Sequence, residues 1–168
     1  MNKDRADSTI TILGLGNPIR QDEGFGIHVV HRLMQKDEFS EVNLVDGGTD
    51  GLALLPLVEE AKYLLVLDAV DAKAKAGTVV SLKHTEVFSL QTEKLSQHQI
   101  TFQEVLALAH FRNCLPQEVA IIGVQPAQLS WGTELSSTVA ATLPQVELMV
   151  KNQIMAWKEQ RDDKKSVC

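Results

Sequence analysis

The stretch YLLVLDAV, residues 63 to 70, is apolar from Tyr63 through Leu67 before it reaches Asp68. A strand with one wet face would alternate, so an unbroken run this short suits a strand covered on both faces, as in a parallel sheet flanked by helices. Four more short β-rich runs occur: TITILGLG (9 to 16), VNLVDGG (42 to 48), TVVSLK (78 to 83) and VAIIGVQ (119 to 125). Helical periodicity lies between them. Residues 24 to 36 put Ile27, Val30, Leu33 and Met34 on one side and His28, Arg32 and Gln35 on the other. The capping box Thr101-x-x-Glu104 opens a second helix with Phe102, Val105, Leu106 and Ala109 as its stripe. A third runs from about Ser137 to Glu159 through Val139, Leu143, Val146, Val150, Ile154 and Trp157, and Pro144 either kinks it or marks its first turn.

Strands alternating with helices specify an α/β fold: a three-layer α/β/α sandwich of the phosphorylase/hydrolase type, with a mostly parallel twisted sheet of about five strands. With 168 residues, 44% of them hydrophobic, the chain suffices for one domain, residues 1 to 168, with 1 to 8 and 161 to 168 read as disordered tails. The stretches 84 to 99 and 126 to 136 are longer than ordinary connections, which points to binding surfaces. Trp131, flanked by polar residues in the second, is either an exposed anchor for a protein partner or packed against the last helix.

A formal charge of -6 leaves no positive field for a phosphate backbone, so nucleic acid is not expected as a partner. No apolar run reaches membrane-spanning length and residues 1 to 9 are polar, so no membrane is expected and the location reads as cytoplasmic. The two cysteines, Cys114 and Cys168, form no CxxC pair and read as free thiols.

The segment GLGNPIRQDEGFG, residues 14 to 26, looks like a phosphate loop and fails as one. Ile19 stands where the dinucleotide fingerprint needs its third glycine, no Gly-Lys-Ser/Thr follows, and Asp22 and Glu23 would repel an anion from the helix start. These carboxylates suit a cation or a proton transfer; alternatively one of them merely caps the helix beginning near Gly24. Asp68 emerges at the carboxyl end of a central strand, where ligands collect in open α/β sheets, and Glu23 lies one loop beyond the first strand at the same edge. A turn of the Asx type is the other reading of Asp68. Among the histidines, His28 and His31 read as surface or semi-buried structural residues, and His84 and His110 lack an acidic neighbour. His98, in the loop LSQHQ before the capped helix, is best placed to reach over the sheet edge; an exposed loop histidine is its other reading.

Taken in order, GLGNPIRQDEGFG, VDGGTDGLALLPLV, LLVLDAVDA, SQHQITFQEVLALA and IIGVQP resemble the endopeptidases that mature nickel-iron hydrogenases, across about residues 9 to 155. The resemblance implies cleavage of a C-terminal extension from the precursor of the hydrogenase large subunit, after nickel has been placed in that precursor. It also implies that Glu23, Asp68 and His98 recognise the nickel, which the substrate carries and the enzyme does not keep. Gly47, Gly48 and Thr49 match the segment that borders the crevice and admits the peptide. Two carboxylates and an imidazole suit divalent nickel and leave positions open for groups of the precursor. In one reading nickel polarises the scissile carbonyl or acidifies a water; in another it only docks the substrate while Glu23 or Asp68 acts as general base. The first is preferred. A monomer is expected. The opening GLGNP also resembles peptidyl-tRNA hydrolases, but GIHVVHR stands where their Arg-His-Asn element falls and the charge is negative. A precursor-binding module without peptidase activity uses the same residue types.

Overall fold

The computed structural model describes residues 10–87 and 101–166, with side chains through residue 162. Five strands form one sheet: β1 (Ile10–Leu15), β2 (Asn43–Gly48), β3 (Tyr63–Ala69), β4 (Val79–Leu82) and β5 (Glu118–Val124), in the order β2-β1-β3-β5-β4. β1 is parallel to β2 and β3, and β3 to β5, while β4 runs antiparallel along the edge beside β5. All five expected strands are present.

Burial on both faces follows the parity of the strands. Tyr63, Leu65 and Leu67 join Ile10, Ile12, Ala120 and Ile122 in one core, closed by α1 (Phe25–Met34) and α6 (Leu143–Ser166). Leu64 and Val66 join Leu13, Val119 and Ile121 in the other, closed by α2 (Leu55–Glu60), α3 (His84–Val87) and α4 (Phe102–Phe111). Every residue of the run 63–67 therefore has a core to enter, which is why the run has no polar member. At about 25 cal/mol per Å² of buried apolar surface, each such leucine contributes roughly 2 kcal/mol.

Several helices differ from expectation. In α1 the buried set is Phe25, Ile27, Val29, Val30 and Leu33, whereas Met34 is exposed. Met34 is the last helical residue, rotated about 100° from Leu33 and away from the sheet. The short α2 was not anticipated; its six residues are too few to show a period, and Pro56 sits in its first turn. One turn, α3, occupies part of a stretch expected to be irregular. The last helix is two: α5 (Ser137–Ala140), capped by the Ser136 side chain, and α6, in which Pro144 sits in the first turn and makes no kink. α6 continues to Ser166, past the expected end at Glu159 and into the segment read as a tail. Among the described residues no helix is long and apolar enough to cross a membrane.

Candidate active site

The topology creates one crevice. From β1 the chain crosses to β2 through α1 on one face, then returns past β1 to β3 through α2 on the other. The two crossovers diverge between the carboxyl ends of β1 and β3, the switch point where open α/β sheets take ligands. The glycine-rich segment wraps this point. A Cβ on Gly26 would lie 2.0 Å from the Leu67 carbonyl oxygen and 2.4 Å from that of Leu15, so only glycine lets α1 press on both strand ends. Gly16, at φ 128°, would place a Cβ 1.8 Å from the Glu23 carbonyl oxygen, and its N–H donates to the Gly48 carbonyl at 3.0 Å. These glycines serve close packing of backbone on backbone.

The adjacent acids Asp22 and Glu23, in a tight turn spanning Gln21–Gly24, have opposite surroundings. Asp22 has no exposed surface. Its Oδ2 accepts from Ala127 N (2.9 Å), Gln128 N (2.9 Å) and Ser136 Oγ (2.8 Å), and its Oδ1 from Ser136 N (2.7 Å). Burial works to raise its pKa, but these bonds together hold it below the ordinary value. Glu23 is half-exposed and pairs with the Arg20 Nε at 3.5 Å. Neither acid caps the turn or α1, which corrects the capping alternative: Asp22 fastens a distant segment instead. Arg20 in turn lies over the Trp131 ring, 5.2 Å from its centroid. Trp131 is 73% exposed, so the ring is largely open to solvent and not packed into the core.

Asp68 ends β3 with the parity of Leu64 and Val66, on the face covered by α2 and α4. It is half-buried, and its pKa is pushed up to about 7, first by burial, against the pull of the Ala69 N–H, and further by the negative charge of Glu23. The two acids thus feel one another across the switch point. Gly47, Gly48 and Thr49 lie at the neighbouring carboxyl end of β2, where the pairing with β1 slips: Gly14 faces Asp46 and Leu15 faces Gly48, leaving Gly47 bulged. Asp46 holds this end, its Oδ1 accepting from Gly48 N at 3.1 Å and its Oδ2 pairing with His31 Nε2 at 2.8 Å. Among the described residues nothing lies within 4 Å of a Cβ built on Gly48, so the edge is open to them there.

His98 lies outside the described residues. Among the described residues no group of three or more His, Cys, Asp or Glu could hold a metal ion. His28 bonds the Thr133 carbonyl oxygen through Nε2 at 3.0 Å, and His84 Nδ1 accepts from Val119 N at 3.1 Å, so both have structural partners. From the sequence Arg20 carried no expectation, and Asp22 was expected, with Glu23, to serve a cation or a proton transfer or else to cap the helix; its role as a clasp was not foreseen. No local signal marks the clasp of Asp22 or the stacking of Arg20 on Trp131, because those partners are more than a hundred residues away.

The residues 27–153 match the family model described as hydrogenase maturation protease. The chain is 37% identical over 151 residues to the hydrogenase expression/formation protein HupD of Rhodobacter capsulatus, covering 88% of this chain and 72% of that protein. It is 35% identical over 136 residues to the hydrogenase 2 maturation protease of Escherichia coli, covering 80% and 83%. Its fold matches the solved structure of the hydrogenase maturating endopeptidase HYBD from E. coli with a TM-score of 0.76 at 33% identity, over 90% of this chain and 93% of the other.

Proposed function

The chain belongs to the hydrogenase maturation protease family, and from that premise we propose that it is the endopeptidase that removes a C-terminal extension from the nickel-loaded precursor of a hydrogenase large subunit. The observation that carries the site is the pair of acids at the switch point, one half-exposed and one half-buried, with Glu23's charge helping to keep a proton on Asp68. An ionised carboxylate at this point can take a proton from an attacking water and then give it to the leaving amine. The carboxyl end of β2 at Gly47, Gly48 and Thr49, open beside Gly48, suits entry of an extended peptide.

Nickel enters as cargo of the substrate. Asp68 has the Ala69 N–H to set against its burial and the repulsion of Glu23, so a cation between the acids would relieve both and leave Asp68 ionised. Two carboxylates with the imidazole of His98 are a donor set suited to divalent nickel. In sequence His98 stands just ahead of Thr101, the cap of α4, and α4 covers the face on which Asp68 lies. This reading places the protein in the cytoplasm as a monomer, with both acids of the site supplied by one chain.

The test mixes purified protein with nickel-loaded and nickel-free precursor and follows the C-terminal extension by mass. Processing of the loaded form alone is expected, and Glu23→Ala, Asp68→Ala and His98→Ala should each abolish it with the fold intact. Cleavage of nickel-free precursor at the same rate would overturn the gating, and tight binding with no cleavage would make the protein a docking module.

A further inference from the structure

Residues 126–136 contain no strand or helix, yet they are fastened at several points to the turn that carries Glu23. Asp22 takes Ala127 and Gln128 at one end of the segment and Ser136 at the other, and its own N–H donates to the Gln128 carbonyl at 3.1 Å. In the middle, Gly132 N donates to Ile19 O at 3.0 Å and Gln21 N to Gly132 O at 2.9 Å, while His28 bonds Thr133 O. The turn needs such support. Gln21 adopts φ 47°, a left-handed conformation unfavourable for a residue with a side chain, and no side-chain cap steadies the turn.

We propose that Asp22 is a positioning residue for the cleavage reaction: its carboxylate locks segment 126–136 onto the Gln21–Gly24 turn and so sets where Glu23 and the Arg20–Trp131 stack stand relative to Asp68. This rests on the peptidase reading of Glu23 and Asp68. Two features make the lock specific to a carboxylate. All four groups it meets are donors, three N–H and one O–H, and an asparagine would present its own NH₂ to some of them. The donors also arrive from both ends of the segment, so one side chain closes the loop as a clasp does. Glu23 is the next residue, so release of the lock moves its backbone anchor directly.

The experiment compares the wild type with Asp22→Asn and Ser136→Ala, the latter removing the hydroxyl donor to Asp22 together with the side-chain cap of α5 while leaving the three N–H donors in place. Each is made on a Trp157→Phe background, so that Trp131 is the single remaining indole. Folding at the assay temperature is checked by circular dichroism, and kcat and KM are measured on nickel-loaded precursor alongside the fluorescence anisotropy of Trp131. Asp22→Asn should lower kcat per folded molecule about 10- to 100-fold, with a smaller change in KM, as expected for a reacting group displaced by about 1 Å. Its Trp131 anisotropy should fall as the segment loosens, and Ser136→Ala should move both readouts in the same direction but less. A role confined to stability would leave kcat per folded molecule and the anisotropy at wild-type values, and that result overturns the proposal. Should Asp22→Asn not fold, Ser136→Ala decides: lowered kcat with lowered anisotropy supports the lock, and unchanged kcat overturns it. A wild type that leaves the loaded precursor intact would sink the peptidase reading and the proposal together, a result distinct from insensitive variants beside an active wild type.

Discussion

Asp22 and Asp68 are the same side chain at the same edge of one sheet, and their surroundings differ in the one respect that matters for an acid. Asp22 is wholly buried among four donors, while Asp68 is half-buried with the Ala69 N–H opposing its burial and a second acid nearby. The first is held ionised below its ordinary pKa, the second is pushed up to about 7. A saturated carboxylate has no lone pair left for a substrate and becomes part of the framework. An under-served carboxylate is a standing penalty that a proton or a cation removes, and that need is the ground on which Asp68 is proposed as the reactive acid.

The contrast can be broken in several ways. The largest effect is expected for Asp68→Asn, which keeps the shape and removes the titrating group: processing of loaded precursor should fall by about 100- to 10,000-fold. Precursor cleavage at the wild-type rate would show that Asp68 is not the reactive member. Next comes Asp22→Ala, which strands four donors in the interior and should destabilise the fold by about 3 kcal/mol or more, read as a shift in the urea midpoint. A loss below about 1 kcal/mol would mean that water replaces the carboxylate and that Asp22 is no framework element.

The pH dependence sharpens the same comparison. Because folding raises the Asp68 pKa from 3.8 to about 7, the native state binds more proton than the unfolded chain between those values. Asp68 therefore lowers stability progressively as pH rises through that window in the precursor-free protein. Asp22 has the opposite sign: its lowered pKa adds stability that is present above 3.8 and lost as pH falls through the folded value. Thermal unfolding of the wild type and Asp68→Asn between pH 4 and 8 should show the variant gaining on the wild type toward neutrality; parallel profiles would contradict this. The smallest effect belongs to Trp131→Ala. The ring is mostly exposed and touched by Arg20, so stability should change by less than about 1 kcal/mol, and a larger drop in the melting temperature than that implies would reveal packing beyond the Arg20 stack.

The strands were legible because two-sided burial writes itself as an unbroken apolar run, and the residues of YLLVL divide between two cores by parity. Helix α4 was legible through its capping box, which forms as read: Glu104 N donates to Thr101 Oγ1, and Thr101 N donates to Glu104 Oε2 at 2.7 Å. Helix α2 was not, since six residues carry less than two full turns of pattern. The break before α6 was half legible, because Pro144 permits either a kink or a first turn, and packing of Val139 and Val146 into one core decides for the turn. The position of the candidate residues Glu23 and Asp68 at one sheet edge was readable from strand ends, and the glycines from their spacing, although what the glycines do became clear only from the atoms they would strike.

What the sequence alone determined is the alternation of buried strands and amphipathic helices, and with it which acids emerge at the carboxyl edge, because those follow from local periodicity and chain order. The division of labour between Asp22 and Glu23, neighbours of one charge, was decided only by the tertiary structure. An acid's role depends on the donors it meets, and those that saturate Asp22 come from residues 105 to 114 positions further along the chain, brought to it by folding.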